Sequence, residues 1–193
     1  MTLLAMTCIQ LRNQTGQIYG EPLLEEIVSS ISGTDQRIKR KGAIKELFGE
    51  GYDAVTLKEN ENPKYADVHK LTKSGLSYLV KIHSPWEVLE EIYRSQSVLG
   101  RLALSHAAVP IARTFVHDNY GEKNRVVIRR YQDVPTLNQV PLAEGLTLAS
   151  ACRSRLIVSG FGLIPLTRED LPNFVKDPIY GGMLLDYNMI TSF

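Results

Sequence analysis

This 193-residue chain lacks most of the features that announce a function outright. It has two cysteines, Cys8 and Cys152. They are too few for a disulfide framework and lack metal-ligand spacing, so an intracellular, reducing compartment is expected. The four histidines, His69, His83, His106 and His117, form no close ligand pair, which argues against a histidine-based zinc site. No apolar run approaches the roughly 20 residues of a membrane span. The N-terminal stretch has no basic region and is interrupted by Gln10 and Arg12, so it does not read as a secretory signal. An excess of one charge is missing too. The 22 Lys and Arg against 21 Asp and Glu leave a net charge of +1, which argues against nucleic-acid or membrane binding through the overall field. There is no internal repeat and no low-complexity segment. What remains is a globular chain, 44% hydrophobic, long enough to bury a core in one domain or two small lobes.

The stretch Ser77-Tyr78-Leu79-Val80-Lys81-Ile82-His83 carries the most information. It alternates as a strand, with Tyr78, Val80 and Ile82 on one face and Leu79, Lys81 and His83 on the other. A lysine inside an apolar strand either reaches the surface or needs an anion, a carboxylate or a phosphate.

Around this strand the chain is expected to run as follows. Residues 20–33 read as a helix, with Pro22 in the first turn, a stripe of Leu23, Leu24, Ile27, Val28 and Ile31, and Gly33 as the stop. The basic segment with Arg37, Lys39, Arg40 and Lys41 reads as a solvated turn before a strand or as a contact for phosphate or an acidic partner. Residues 43–57 read as two short strands flanking Gly49-Glu50-Gly51, where glycines permit a tight turn and close approach of backbone N–H groups to phosphate. Tyr65 to Leu71 reads as a further strand that turns at Ser74-Gly75. Ser84-Pro85 opens a helix whose apolar face holds Trp86, Leu89, Ile92, Tyr93, Leu99 and Ala103, with Gln96 near its centre. Glu87, Glu90 and Glu91 fall on the other side. Strands are expected at 111–117 and 125–131, then a connector with Pro135 and Pro141. A helix follows over 142–160, with Leu142, Leu146, Ala149, Cys152 and Leu156 on one stripe. The tail reads as loop with one apolar run, Met183-Leu184-Leu185.

This order resembles the protein-kinase-like fold, including aminoglycoside phosphotransferases and the minimal kinases among bacterial effectors. Gly49-Glu50-Gly51-Tyr52-Asp53-Ala54-Val55 resembles the kinase Gly-rich loop, one residue short. Val80-Lys81-Ile82 resembles the strand whose lysine holds nucleotide phosphates. Val127 to Val134, with Arg130 and Tyr131, is similar to the strand and hinge beside adenine. Asn173-Phe174-Val175 and Asp186-Tyr187-Asn188 are similar to the two metal-holding segments, 13 residues apart from Asn173 to Asp186. The resemblance implies an α+β chain with three parts. These are an N-terminal extension over 1–42, an antiparallel-sheet lobe over 43–133 and a reduced helical lobe over 134–193. It also implies ATP and Mg²⁺ as cofactors, a protein partner or substrate, and a cytoplasmic location, in a host cytosol if the chain is a secreted effector.

The departures from the family bear on activity. Counting back from Asn173 puts Arg168 at the general-base position, which cannot accept a proton. A two-residue deletion puts Asp170 there instead, and Asp170 reads equally well as a surface turn acid. Gln96 stands where the family places a glutamate that pairs with the lysine, unless Glu90 or Glu91 compensates. Phosphate is therefore the expected main partner of Lys81, which should be poorly satisfied without it. The chain ends seven residues after Asp186, without the family's distal helices. The resemblance leaves open a phosphotransferase, a pseudokinase acting as a binding module, or an unrelated α+β domain.

Overall fold

A computed structural model describes residues 11–12, 17–49, 51–61, 66–83, 106–119, 121–131, 133–163 and 165–192. The expected helix from Ser84, with Glu87, Glu90, Glu91 and Gln96, lies outside the described residues. The architecture is α+β, and the chain divides into two compact units, residues 1–88 with 111–131 and residues 89–110 with 132–193.

The first unit opens with a short ladder of β1 (Leu11–Arg12) and β2 (Ile18–Tyr19). Helix α1 (Pro22–Ser32) follows, with proline at its start, as the sequence indicates. Leu23, Leu24, Ile27 and Ile31 are buried along its inner stripe. Helix α2 (Ala43–Leu47) then replaces the strand expected over 43–48. Gly42 starts it in a left-handed conformation (φ 77°), and Ala, Lys, Glu and Leu are good helix formers. Five residues are too few for apolar spacing to separate the helical period from the strand period.

A five-stranded antiparallel sheet is the centre of the unit, built from β3 (Asp53–Lys58), β4 (Asp67–Lys73), β5 (Leu76–His83), β6 (Arg113–Asn119) and β7 (Glu122–Arg130). Its spatial order is β3-β4-β5-β7-β6. Ser74 (φ 52°) and Gly75 (φ 78°) close the β4–β5 hairpin. Positive φ at both central residues matches the right-handed strand twist.

Paired residues share a face, so register fixes the two sides. On one side lie Leu71, Tyr78, Val80, Ile82, Val126 and Ile128, which form one core with Leu24, Ile27 and Ile31 of α1. Each fully buried side chain of this kind contributes about 1.5–3 kcal/mol. The acidic first turn of α1 is tied across three strands. Glu21 meets Arg130 of β7 at 2.7 Å, Glu25 meets Arg113 of β6, and Glu26 meets Lys73 of β4 at 2.5 Å. Arg113 is 6% exposed and also donates to the carbonyl of Ile18 at 2.6 and 3.0 Å. A buried guanidinium needs such saturation. In the basic segment, Arg37 pairs with Glu122 and Arg40 with Glu46, which accounts for two of its four cations structurally.

His69 is buried on the α1 side, with Nδ1 3.1 Å from Thr56 Oγ1. Burial holds its pKa below the usual value, and Asp67 opposes this in part. A depressed histidine pKa means that the unfolded chain binds the proton more readily. This share of stability is present above the unfolded value of about 6.5 and is lost as pH falls through and below it. Denaturant midpoints measured at pH 7 and pH 5 should therefore fall further in wild type than in His69→Gln.

The second unit contains a 3-10 turn at Leu137–Gln139, helix α3 (Leu142–Val158), β8 (Phe161–Leu163), a 3-10 turn at Arg168–Asn173, β9 (Phe174–Asp177), β10 (Gly181–Leu184), a 3-10 turn at Tyr187–Met189 and β11 (Ile190–Ser192). The tail expected as loop is thus mostly ordered, because β9 pairs with β10 and β11 returns to pair with β8. The buried stripe of α3 is Gly145, Ala149, Cys152 and Leu156, while Leu142 and Leu146 are exposed. The correction has a packing cause. Small residues let α3 approach backbone closely, and a Cβ on Gly145 would lie 2.6 Å from the Leu137 carbonyl oxygen.

Cys152 is fully buried and donates to the Ala107 carbonyl at 3.1 Å. Burial pushes its thiol up to about 11. It should resist iodoacetamide at pH 8 in the folded protein and react once the chain is unfolded, as followed by mass spectrometry of its peptide. Among the described residues no helix is long and apolar enough to cross a membrane.

Candidate functional site

Lys81 lies near the middle of β5, the central strand of the sheet, on the face opposite α1. Val68 of β4 and Val127 of β7 stand directly opposite it on the flanking strands. Lys81 is half-buried and does not lack a partner, against the expectation that it is poorly satisfied without phosphate. Val55 of β3 lies on the same face, 42% exposed, in one row with Lys70 and Leu79. The strand parity seen in the sequence, with Leu79 and Lys81 opposite the face of Tyr78, Val80 and Ile82, is therefore correct.

Two other expected nucleotide positions are corrected. Gly49 and Gly51 sit between α2 and β3, not between two strands. Gly51 needs its left-handed backbone (φ 84°), but the strand–turn–strand geometry of a phosphate-cradling hairpin is not formed there. Arg130 pairs in register with Tyr78, so its side chain lies on the α1 side, away from Lys81. There Glu21 accepts from both Arg130 and the Tyr78 hydroxyl. The paired guanidinium and carboxylate raise the Arg130 pKa, and burial with the Glu21 bond raises that of Tyr78. Tyr131 continues from β7, and its N–H donates to the Ser77 carbonyl at 2.8 Å. Gln96 lies outside the described residues.

In the second unit the β9–β10 hairpin brings two expected residues together. Phe174 pairs with Leu184, and beyond that pair the Leu185 N–H donates to the Asn173 carbonyl at 2.7 Å. Asn173 and Asp186 therefore stand at the same end of one hairpin, both half-buried. An amide oxygen and a carboxylate are both hard-oxygen donors of the kind Mg²⁺ accepts, so the donor types suit that ion.

The hairpin is fixed from two sides. Leu184 donates to the Ala107 carbonyl at 2.8 Å and accepts from the Val109 N–H at 2.9 Å. Arg155 of α3 donates to the Gly182 carbonyl and, at 2.9 Å, to that of His106. Tyr187, 2% exposed, donates its hydroxyl to the Val109 carbonyl at 2.7 Å. Arg155 and Gly182 are positioning residues without a local sequence signature, since their partners are backbone groups 27 to 49 residues away.

Asp170 occupies the 3-10 turn that leads into Asn173. Its Oδ2 accepts from the Thr167 N–H and hydroxyl, both at 2.8 Å. That is the geometry of a turn cap, the more ordinary of the two roles expected for it, and it leaves Oδ1 for any other contact.

One residue absent from the sequence expectations belongs with Lys81. The Lys70 ammonium lies 4.1 Å from the centre of the Tyr131 ring. Its strand is legible in the sequence, but its face depends on pairing register.

No protein-family model matches the chain, and no curated protein matches it. Among solved structures, the BubR1 kinase domain is similar over 74% of this chain and 48% of that one, at 17% identity and a TM-score of 0.43. The chain thus spans about half the length of that domain, and a likeness of this size carries no inference about activity.

Proposed function

We propose that the chain is a small kinase-like phosphotransferase that moves the γ-phosphate of ATP to a hydroxyl of a protein or small molecule. The observation that supports this reading is the shared hairpin end of Asn173 and Asp186, an amide and a carboxylate of the donor types Mg²⁺ accepts. Lys81, set among apolar neighbours on its sheet face, is the proposed partner of the phosphates. Bound Mg²⁺ would offset charge on the phosphate oxygens, and positioning with charge stabilisation would supply most of the rate. The reading requires Lys81 and Asp186 to engage the same nucleotide. The proposed location is the cytosol, that of a host if the chain is a secreted effector.

A second reading, a nucleotide-binding module without transfer, is favoured by one observation. Asp170, the candidate base, spends one carboxylate oxygen on capping its own turn. Radiolabelled γ-phosphate separates the readings. Mg²⁺-dependent release or transfer by wild type, lost in Asp186→Ala, supports the phosphotransferase. Mg-ATP binding without turnover supports the module.

A further inference from the structure

The face of the sheet that carries Lys81 also carries a second lysine. Register puts Lys70 opposite Val55 on β3 and opposite Leu79 on β5, and Lys81 is two residues beyond Leu79. Lys70 and Lys81 are thus diagonal neighbours on adjacent strands, about 7–8 Å apart. The strands place carboxylates only at the corners of this face, at Asp53 and at Asp118, and Asp118 lies 3.8 Å from Lys123. Among the described residues Lys70 makes no ion pair, and its ammonium rests over the Tyr131 ring at 4.1 Å. A cation held only by an aromatic face is loosely held and easily transferred to a stronger acceptor. The same surface is apolar and aromatic at Val55, Leu79 and Tyr131, with the buried Arg129 opposite Leu79. Two ammonium groups beside such a patch complement a nucleoside polyphosphate, base on the patch and phosphates on the lysines.

The geometry points to Lys70 as a second phosphate-binding residue, acting with Lys81 on the polyphosphate chain of a nucleotide. This rests on the nucleotide reading above and names a residue and a ligand class for the same face. On binding, Lys70 exchanges the Tyr131 ring for phosphate oxygen.

Calorimetric titration with three probes, Mg-ATP, inorganic tripolyphosphate and adenosine, tests it. Lys70→Ala should weaken Mg-ATP and tripolyphosphate about tenfold, the usual scale of one charge-assisted hydrogen bond, with adenosine unchanged. Lys70→Arg should restore most of that loss. Lys123 lies on this face four residues from Val127 along β7, beside Asp118 at 3.8 Å, and Lys123→Ala should change affinity less than twofold. Equal Mg-ATP affinity in wild type and Lys70→Ala overturns the proposal while the nucleotide reading stands. An equal loss for adenosine and Mg-ATP, or an equal loss in Lys123→Ala, overturns it as well. Lysine-dependent tripolyphosphate binding without Mg-ATP binding upholds the phosphate site and sinks the nucleotide reading. Binding of neither sinks both.

Discussion

Gly182→Ala should destabilise the protein by about 3 kcal/mol or more, lowering the thermal midpoint by roughly 10 °C. A Cβ at Gly182 would stand 2.3 Å from the Leu148 carbonyl oxygen and 2.7 Å from its carbonyl carbon. These are backbone atoms of α3, so no flexible side chain can move aside. Either α3 or the β9–β10 hairpin must shift, and the Arg155 bond to the Gly182 carbonyl is strained with them. Gly121→Ala is the control. Gly121 also needs a left-handed backbone (φ 74°), but nothing lies within 4 Å of its Cβ position. It should cost only the backbone term of about 1–2 kcal/mol. Calorimetric scans of both variants check the ranking.

Asp186→Ala should lower Mg²⁺-dependent turnover by about 100-fold or more, the scale on which removing one fixed electrostatic group acts in a transition state. The loss should appear only with Mg²⁺ present, so ATP binding measured in EDTA should change little. Asn173→Ala should cost less, since an amide oxygen carries no net charge to oppose the metal. The Asp186 backbone carbonyl accepts from the Met189 N–H at 3.2 Å. This bond survives truncation of the side chain, so the stability of Asp186→Ala should stay near that of wild type. Parallel melts would separate lost chemistry from lost structure.

How far the chain could be understood from its sequence follows from the range of the interactions involved. Helix α1 and strand β5 were legible because a periodic apolar stripe is a local signal, and Leu24, Ile27 and Ile31 bury as that stripe indicates. The inner face of α3 was legible in part: Ala149, Cys152 and Leu156 bury as the stripe indicates, whereas Leu142 and Leu146 face outward and Gly145 takes a buried place against the Leu137 backbone. Hydrophobicity alone misplaces the first turns, where close approach decides. The 13-residue spacing of Asn173 and Asp186 entered through the resemblance alone, and the β9–β10 hairpin that sets them at one end was not read, because the tail was expected as loop. Arg130 failed because its face is set by the register with Tyr78, which no local pattern encodes. Gly49 and Gly51 failed because the residues before them form a helix. In Lys70 the same dependence on register concealed a residue beside Lys81.

The central proposal is that the chain binds Mg-ATP, with Lys81 on the phosphates. Thermal unfolding with and without Mg-ATP tests it most directly. At a hundred times the dissociation constant, ligand linkage contributes about 2.7 kcal/mol, a rise of roughly 5–10 °C in the midpoint. Wild type should show that rise, and Lys81→Ala should lose most of it while melting near the wild-type temperature without ligand. A wild-type midpoint that does not move with saturating Mg-ATP would contradict the account.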